Sequence, residues 1–403
     1  MTIFSKRIIF EITIAIFISA LVVIFSESYI FNKIFSFYNI QHLTPSFADF
    51  RSYQALPATV DSGYNPYLNH EFDPWKRPFN LPYIWFYISK YLNLANELNF
   101  KLFVSSYISF FIFCIFRTAS LTKNNLSYII VIFISLSASS ILALERGNTD
   151  ILIFSIIFAA CIIKKFYLNL SLLVFAAMLK LYPIFSFIIN FDNRKKFYFS
   201  FFGFLIAFIT IFSNLKYYFY NTHSTFNTGI TFGIRPIILG LFKAFERLGI
   251  DFFEYNNFNF ILIFGTILML TLIFFFYFAY KNIDYKDGNI NFVNIKNRLF
   301  LAGSNIYCFS FIFFSSFDYR LIFLILTIPY LIENIDRVKI FSIIFIFLSS
   351  NSLIFYSFAN SSSDFVYIGL LVHMCKSILF LLVLYELTKF YKVFFNRIVL
   401  SKH

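Results

Sequence analysis

The 403-residue chain has little charge. Asp, Glu, Lys and Arg make up 13% of it, whereas about 25% is typical of soluble domains. In addition, 59% of the residues are hydrophobic, and they lie in long apolar blocks. Together the two features exclude an ordinary soluble globular domain. The four cysteines all lie inside apolar runs and form no CxxC pair. We therefore expect neither a disulfide framework nor a metal site.

The chain instead contains many apolar runs of the length that crosses a bilayer as a helix. They predict an all-α fold, a polytopic membrane bundle of about 10–12 helices in one integral membrane domain over residues 1–403. The net charge of +13 comes from short Lys and Arg clusters between the runs. That pattern is typical of cytoplasmic loops on an anionic leaflet, so it indicates membrane lipids as partners and no nucleic acid.

The Lys and Arg clusters also predict the topology, because cytoplasmic loops collect these residues. Both termini should be cytoplasmic, in a cytoplasmic (inner) membrane, and residues 28–97 and 215–257 should form two external segments. Continuous membrane helices are predicted at 8–27, 98–116, 127–144, 149–163, 197–214, 258–280, 299–315, 321–335, 340–358 and 365–388.

Residues 167–191 call for a different structure, because both flanks are basic and a single crossing would place them on opposite sides. We expect two short half-helices that meet at "KLYP" (180–183), where Pro183 ends the first of them. The tip would then lie at membrane depth, where an irregular backbone is tolerated only beside protein or a cavity.

Polar residues that can carry chemistry collect on the predicted external face. They come from the early external segment, from the turn "ERGNTD" (145–150), from "KLYP", from "DYR" (318–320) and from the later loop. The residues are Asp49, Glu145, Arg146, Asn148, Asp150, Lys180, Tyr182, Arg235, Asp318 and Arg320. A simple polar turn or a local Asp318–Arg320 ion pair is the plainer alternative. The alternation of charge within six residues favours one functional cavity.

Several of these motifs occur in an order that resembles a known family. "DF" at 49–50, "GYNPY" at 63–67 and "LPY" at 81–83 precede "RGNTD" at 146–150 and "KLYP" at 180–183. Over roughly residues 40–190 the series is similar to glycosyltransferase family 87, membrane enzymes of the GT-C fold, although "LPY" lacks that family's second proline.

The resemblance implies an inverting transfer of a sugar from a polyprenyl-phosphate donor to a glycan or glycolipid acceptor on the external face. It maps the catalytic base onto Asp49. Arg146, Lys180, Arg320 and Arg235 are then candidates to hold the donor phosphate, with Glu145, Asn148, Asp150, Tyr182 and Asp318 in supporting roles. Neither a cofactor nor a metal is required by this chemistry. The absence of Asp-x-Asp and of a Gly-rich phosphate loop argues against a nucleotide-sugar donor.

Two other classes stay open. A polysaccharide polymerase or ligase would also act on lipid-linked sugars, but it tends to keep its chemistry in a large loop of the second half. A transporter or flippase would show matching broken helices in both halves, and the sequence shows one broken pair near residue 180. His373 and Lys376, which share one face of the last predicted helix, are expected mainly to pack or to reach the membrane surface.

Overall fold

The structure is a computed structural model. It describes residues 3–122, 124–191, 194–212, 231–234, 236–238, 281, 292–313, 316–333, 335–359 and 362–398. Arg235, the predicted helix 258–280 and most of the external segment 215–257 lie outside the described residues.

The described residues are mostly helical, as the sequence predicts. The α-helices are α1 (Ile3–Phe25), α2 (Tyr29–Phe37), α3 (Ala48–Asp61), α4 (Ile84–Tyr91), α5 (Glu97–Ser120), α6 (Asn125–Ser135), α7 (Ala138–Arg146), α8 (Asp150–Ile162), α9 (Phe166–Leu179), α10 (Arg194–Phe212), α11 (Ile295–Phe313), α12 (Ile328–Leu331), α13 (Arg337–Ser350), α14 (Ser352–Tyr356) and α15 (Ser362–Ile398). Two 3-10 helices cover Tyr182–Asn190 and Asp318–Thr327. Strands β1 (Thr231–Phe232) and β2 (Ser316–Phe317) form a short antiparallel pair.

Three described stretches are long and apolar enough to cross a membrane, namely Lys6–Phe25, Glu97–Ser120 and Tyr367–Phe394. On α1, Phe10 and Phe17 are 65% and 63% exposed, so the helix presents bulky apolar side chains that water would disfavour. The prediction of a continuous helix over 127–144 is wrong. Helices α6 and α7 meet there at a 48° bend and reach spanning length only as a pair.

The break predicted at "KLYP" is confirmed. Helix α9 ends at Leu179, Lys180 has an extended backbone, and the chain continues from Tyr182 as a 3-10 helix with Pro183 in its first turn. Trp85 Nε1 donates to the Leu179 carbonyl at 3.1 Å, which satisfies one of the carbonyls that the end of α9 leaves without a helical partner. The second arm is a 3-10 helix.

The second half departs further from the prediction. The expected helix 321–335 is instead the 3-10 helix Asp318–Thr327 followed by the single turn α12, and the expected helix 340–358 breaks at Asn351. Runs of 3-10 helix longer than four residues are uncommon. The second half therefore contains a counterpart of the interrupted segment near residue 180, which the sequence did not reveal.

Helix α11 packs against both 3-10 helices and brings them together. Phe185 of the Tyr182 helix stacks on Phe309 of α11, with ring centroids 4.4 Å apart. Tyr182 and Phe323, one from each 3-10 helix, meet edge to face at 5.5 Å. The Tyr182 end of the first 3-10 helix thus contacts the middle of the second, at Phe323.

Candidate functional site

The turn between α7 and α8 is tightly hydrogen-bonded. Gly147 has a φ of 58°, and its N–H bonds to the Leu144 carbonyl at 3.0 Å, while the Asn148 N–H reaches the Ala143 carbonyl at 2.9 Å. This pattern ends α7 as a Schellman motif, for which a glycine is preferred at the left-handed position. Asn148 Oδ1 then accepts from the Asp150 N–H at 2.9 Å and begins α8. The polar residues of "ERGNTD" are therefore fixed by backbone geometry.

Gly147 also lets the start of α3 approach this turn. A Cβ at Gly147 would lie 2.7 Å from Phe47 Cβ and 3.1 Å from the Tyr107 hydroxyl. Phe47 itself has a left-handed backbone, and its N–H donates to the Glu145 carbonyl at 3.2 Å. Because of this close contact, Asp49 in the first turn of α3 lies beside Asn148.

Asp49 is held on both carboxylate oxygens. Asn148 Nδ2 donates to Oδ2 at 2.7 Å, and Arg77 Nη1 lies 3.4 Å from Oδ1. The side chain of Asp49 is 29% exposed, so solvent or a small hydroxyl can still reach it. The carboxylate is therefore oriented without being buried.

The partner Arg77 is a residue that the sequence reading missed. Its guanidinium bonds the Asp73 carboxylate through Nε at 3.2 Å and Nη2 at 3.1 Å, and Nη2 also donates to the Ala48 carbonyl at 2.6 Å. Burial would raise the pKa of the Asp73 carboxyl, but hydrogen bonds and charge from Arg77 more than offset it and lower that pKa. The signal was present as the Asp–Arg spacing in "DPWKR" of the external segment.

Lys180, Asp150 and Arg320 form the buried end of the site. Lys180 Nζ donates to Asp150 Oδ1 and lies 3.4 Å from Asn148 Oδ1. Arg320 Nε lies 3.6 Å from Asp150 Oδ2, and its guanidinium carbon lies 4.3 Å from the centre of the Tyr182 ring. Asp150 is fully buried, while the side chains of Lys180 and Arg320 are 7% and 12% exposed. Among the described residues, one carboxylate thus faces two cations, and these three side chains together carry a net charge of +1 in a largely dry environment.

Arg146 belongs to a neighbouring cluster. Its Nε lies 3.0 Å from the buried carboxylate of Glu145, which also accepts from the Leu43 N–H at 2.8 Å and lies 3.3 Å from His42 Nδ1. In the structure, Arg146 pairs with Glu145, and Lys180 pairs with Asp150. Arg146 and Lys180, both candidates to hold the donor phosphate, thus have different carboxylate partners.

Asp318 does not pair with Arg320, so the local ion pair considered from the sequence is wrong. Its carboxylate accepts from Lys376 Nζ, at 2.7 Å to each oxygen, and both side chains are fully buried. Lys376, expected mainly to pack or to reach the surface, is thus a buried ion-pair partner. Arg235 lies outside the described residues.

The site therefore combines Asp49, Asn148, Asp150, Lys180, Tyr182 and Arg320 in one connected cluster. Among the described residues, no group of three or more His, Cys, Asp and Glu is placed to hold a metal ion. The Asp49 carboxylate, which can accept a proton, lies on one side of the Asn148 amide. The cations Lys180 and Arg320, which can bind an anion, lie on the other side. This arrangement suits the attack of a hydroxyl group on a substrate that carries an anionic leaving group.

Comparison of the chain with protein families, with curated proteins and with solved structures finds no match in any of the three.

Proposed function

We propose that this protein is a GT-C-type membrane glycosyltransferase, similar to glycosyltransferase family 87, that moves a sugar from a polyprenyl phosphate to a glycan or glycolipid hydroxyl. The observation that carries the proposal is the side chain of Asn148. Its amide nitrogen holds the accessible carboxylate of Asp49 while its oxygen faces the buried ammonium of Lys180. The reaction takes place on the external face of a cytoplasmic membrane, with both termini in the cytoplasm.

In this reaction the acceptor oxygen attacks C1 of the donor sugar from the side opposite the phosphate. Asp49 takes the hydroxyl proton as the new C1–O bond forms. The bond from C1 to the phosphate oxygen breaks, and the polyprenyl phosphate leaves with its electron pair. Lys180 and Arg320 stabilise the charge that develops on that phosphate, and attack from the opposite face inverts the anomeric centre.

The charge of the site supports a phosphodiester donor. Arg77 is engaged by Asp73, and Arg146 by Glu145, so each of these pairs is neutral. Among the residues that the structure describes, the other charges are +1 in total from Lys180, Arg320 and Asp150 at the buried end and −1 from Asp49 at the accessible end. A sugar linked through one phosphate carries a single negative charge and would balance the net charge of Lys180, Arg320 and Asp150, whereas the charge of a diphosphate would exceed it.

The test is transfer by the purified protein. We expect wild-type protein in detergent to transfer or slowly hydrolyse at least one of a panel of radiolabelled polyprenyl-phosphate sugars, and to leave the diphosphate-linked analogues unchanged. Lys180→Gln and Arg320→Gln should each weaken donor binding roughly 10- to 150-fold, as expected for loss of a charge-assisted hydrogen bond of about 1.5–3 kcal/mol. Lys90→Gln is the matched control, because Lys90 pairs with Asp61 at an exposed site.

The proposal fails if no monophosphate donor in the panel is turned over by protein that is folded and binds the donors. A second candidate, a transporter or flippase of lipid-linked sugars, then becomes preferable. One specific observation favours it, namely that each half of the chain carries a long 3-10 helix and that residues at the two helix starts meet at Asp150. Transporters bind anionic substrates at interrupted helices of this kind.

A further inference from the structure

A second buried ion pair lies directly behind the anion-binding end of the site. Lys376, in the middle of α15, contacts both carboxylate oxygens of Asp318 at 2.7 Å, and neither side chain is exposed. Asp318 is the first residue of its 3-10 helix, and Arg320 follows two positions later. The pair therefore fixes the start of the helix that supplies one of the two cations.

Further contacts join this pair to neighbouring elements. Ser352 of α14 donates to Asp318 Oδ2 at 2.7 Å, and Lys376 Nζ donates to the Thr231 carbonyl of β1 at 3.2 Å. The Tyr307 hydroxyl of α11 donates to the Lys376 carbonyl at 2.9 Å. Both charges are thus hydrogen-bonded as well as paired, which a buried ion pair requires in order to be tolerated.

The same junction reaches the side chain of Arg320. Thr231 of β1 is opposite Phe317 of β2, and Ser316, the other residue of β2, accepts from Arg320 Nη1 at 2.6 Å. Lys376 therefore holds both the strand pair that anchors the Arg320 guanidinium and the aspartate that begins its helix. The guanidinium also lies against the Tyr182 ring.

Stability alone is a weak reason for such a pair, because well-packed apolar residues of similar volume often stabilise a buried site as well or better. We propose that Lys376 and Asp318 are positioning residues, which hold the guanidinium of Arg320 against Asp150 and Tyr182 so that it can bind the donor phosphate. The identity of this anion, the donor phosphate, rests on the proposed function. The contacts that place the Arg320 side chain do not depend on that function.

The test uses a variant in which the pair is replaced without leaving one charge buried. Lys376→Met alone would leave the Asp318 carboxylate buried and unpaired, and it is expected to misfold. The variant Asp318→Asn with Lys376→Met removes both charges and should fold, as judged by gel filtration and thermal unfolding in detergent. We expect it to bind polyprenyl phosphate about 10-fold more weakly than wild-type protein, because the guanidinium is then held less firmly.

Coupling to Arg320 separates positioning from a general effect on structure. In an Arg320→Gln background, the same two substitutions should weaken polyprenyl phosphate binding no further, because the group on which they act is already gone. An additional loss of about 10-fold in that background would overturn the proposal. So would unchanged binding by the folded variant that retains Arg320.

A second readout does not need a substrate. In protein whose native cysteines are replaced, Arg320→Cys should react slowly with a methylthiosulfonate reagent, since residue 320 is largely shielded, and removal of the ion pair should speed that reaction several-fold. Ser62→Cys, at an exposed position, is the control and should react at one rate in both backgrounds.

The two readouts distinguish failure of the function from failure of the positioning role. If wild-type protein binds no polyprenyl phosphate but the thiol of the Arg320→Cys variant reacts faster once the ion pair is removed, the proposed function fails and the positioning role stands. An unchanged reaction rate of the Arg320→Cys thiol overturns the positioning role itself.

Discussion

The Asn148 side-chain amide donates to Asp49 Oδ2 at 2.7 Å and joins the first turn of α3 to the turn between α7 and α8. The two residues are 99 positions apart in the chain. Their contact depends on the left-handed Gly147, which permits the approach of Phe47 just before Asp49. The candidate base is thus oriented by a turn whose own geometry is set by backbone hydrogen bonds.

The first prediction concerns the base. Asp49→Asn keeps the size of the side chain and can still accept from Asn148, but it removes the basic oxygen. We expect transfer to fall by about 10²–10⁴-fold, the usual contribution of general-base catalysis, while donor binding changes little. Asp49→Glu should recover little activity, because one extra methylene displaces the carboxylate from the attacking hydroxyl. Single-turnover transfer together with donor binding measures both effects.

The control for that substitution lies on the same helix. Asp61→Asn at the other end of α3 removes an exposed carboxylate that pairs with Lys90, and it should leave transfer unchanged. Amide substitutions at Glu145 and Asp150 are expected to disturb folding or donor binding, since both carboxylates are buried in ion pairs. Wild-type turnover in Asp49→Asn would show that the base is another residue.

The second prediction concerns Gly147. In Gly147→Ala the new Cβ meets Phe47 at 2.7 Å, and the residue must keep a φ of 58°. The left-handed backbone should cost about 1–2 kcal/mol, and the overpacking about 1–3 kcal/mol more. Because the clash pushes on the residues that place Asp49, transfer should fall further than stability alone explains. Denaturant unfolding in detergent and transfer assays on folded protein measure the two losses.

Gly63→Ala is the matched control for that change. Gly63 also has a left-handed backbone, with a φ of 81°, but a Cβ there would meet no atom within 4 Å beyond its own residue and its chain neighbours. It should lose only the backbone contribution of about 1–2 kcal/mol and keep full transfer activity. Equal losses of stability and activity in the two variants would show that the contact with Phe47 does not position Asp49.

The third prediction is a pH dependence carried by His70. Its Nε2 donates to the Ser52 carbonyl at 2.8 Å, and Nδ1 faces the Thr59 hydroxyl at 2.7 Å. Burial lowers the pKa of the His70 imidazole below its ordinary value of 6.5, although the hydrogen bond to Ser52 and the charge of Asp73 oppose the shift and Arg77 adds to it. The unfolded chain therefore binds the proton more readily than the folded one, so stability is lost as pH falls from about 6.5 toward the folded pKa.

His70→Gln isolates this effect, because Gln can still donate to the Ser52 carbonyl but does not titrate. The melting temperature of wild-type protein should fall relative to that of His70→Gln between about pH 7 and pH 5. Parallel melting curves for the two proteins across that range would contradict the assignment.

The sequence predicts the interruption at "KLYP" because proline and two basic flanks act locally and over a short span. The interruption at "DYR" is not predictable in the same way. No proline or glycine stands within residues 318–327, and an α-helix and a 3-10 helix are alike in apolar composition. That choice is made by packing, since α11 lies against this segment.

The partners of the charged residues show a similar division. Asn148 and Asp150 are close together in the chain, so their membership in one site is visible in the sequence. Asp318 and Lys376 are 58 positions apart, and neither spacing nor composition pairs them. Proximity in the sequence instead suggested Arg320 as the partner of Asp318. In the structure Arg320 contacts Asp150 and Ser316. Long-range pairing of single charges is set by tertiary structure and leaves no local pattern.

The last prediction concerns the side of the membrane on which the site opens. The Lys and Arg clusters predict that the segment carrying Asp49 lies outside and Lys164 inside. Ser46 and Thr149, close to the site, are 2% and 1% exposed and would react poorly with a thiol reagent. Ser62 and Lys164 are exposed positions on the two predicted sides. Single cysteines there, in a chain without native cysteines, should differ in reactivity toward an impermeant maleimide.

In intact cells we expect Ser62→Cys to be labelled and Lys164→Cys to remain unlabelled. After permeabilisation Lys164→Cys should be labelled too, which controls for the intrinsic reactivity of that position. Labelling of Lys164→Cys but not Ser62→Cys in intact cells would place the carboxylate of Asp49 on the cytoplasmic side. A donor and an acceptor on the external face could not then reach it, and the external reaction would have to be abandoned even if the protein proves to be a transferase.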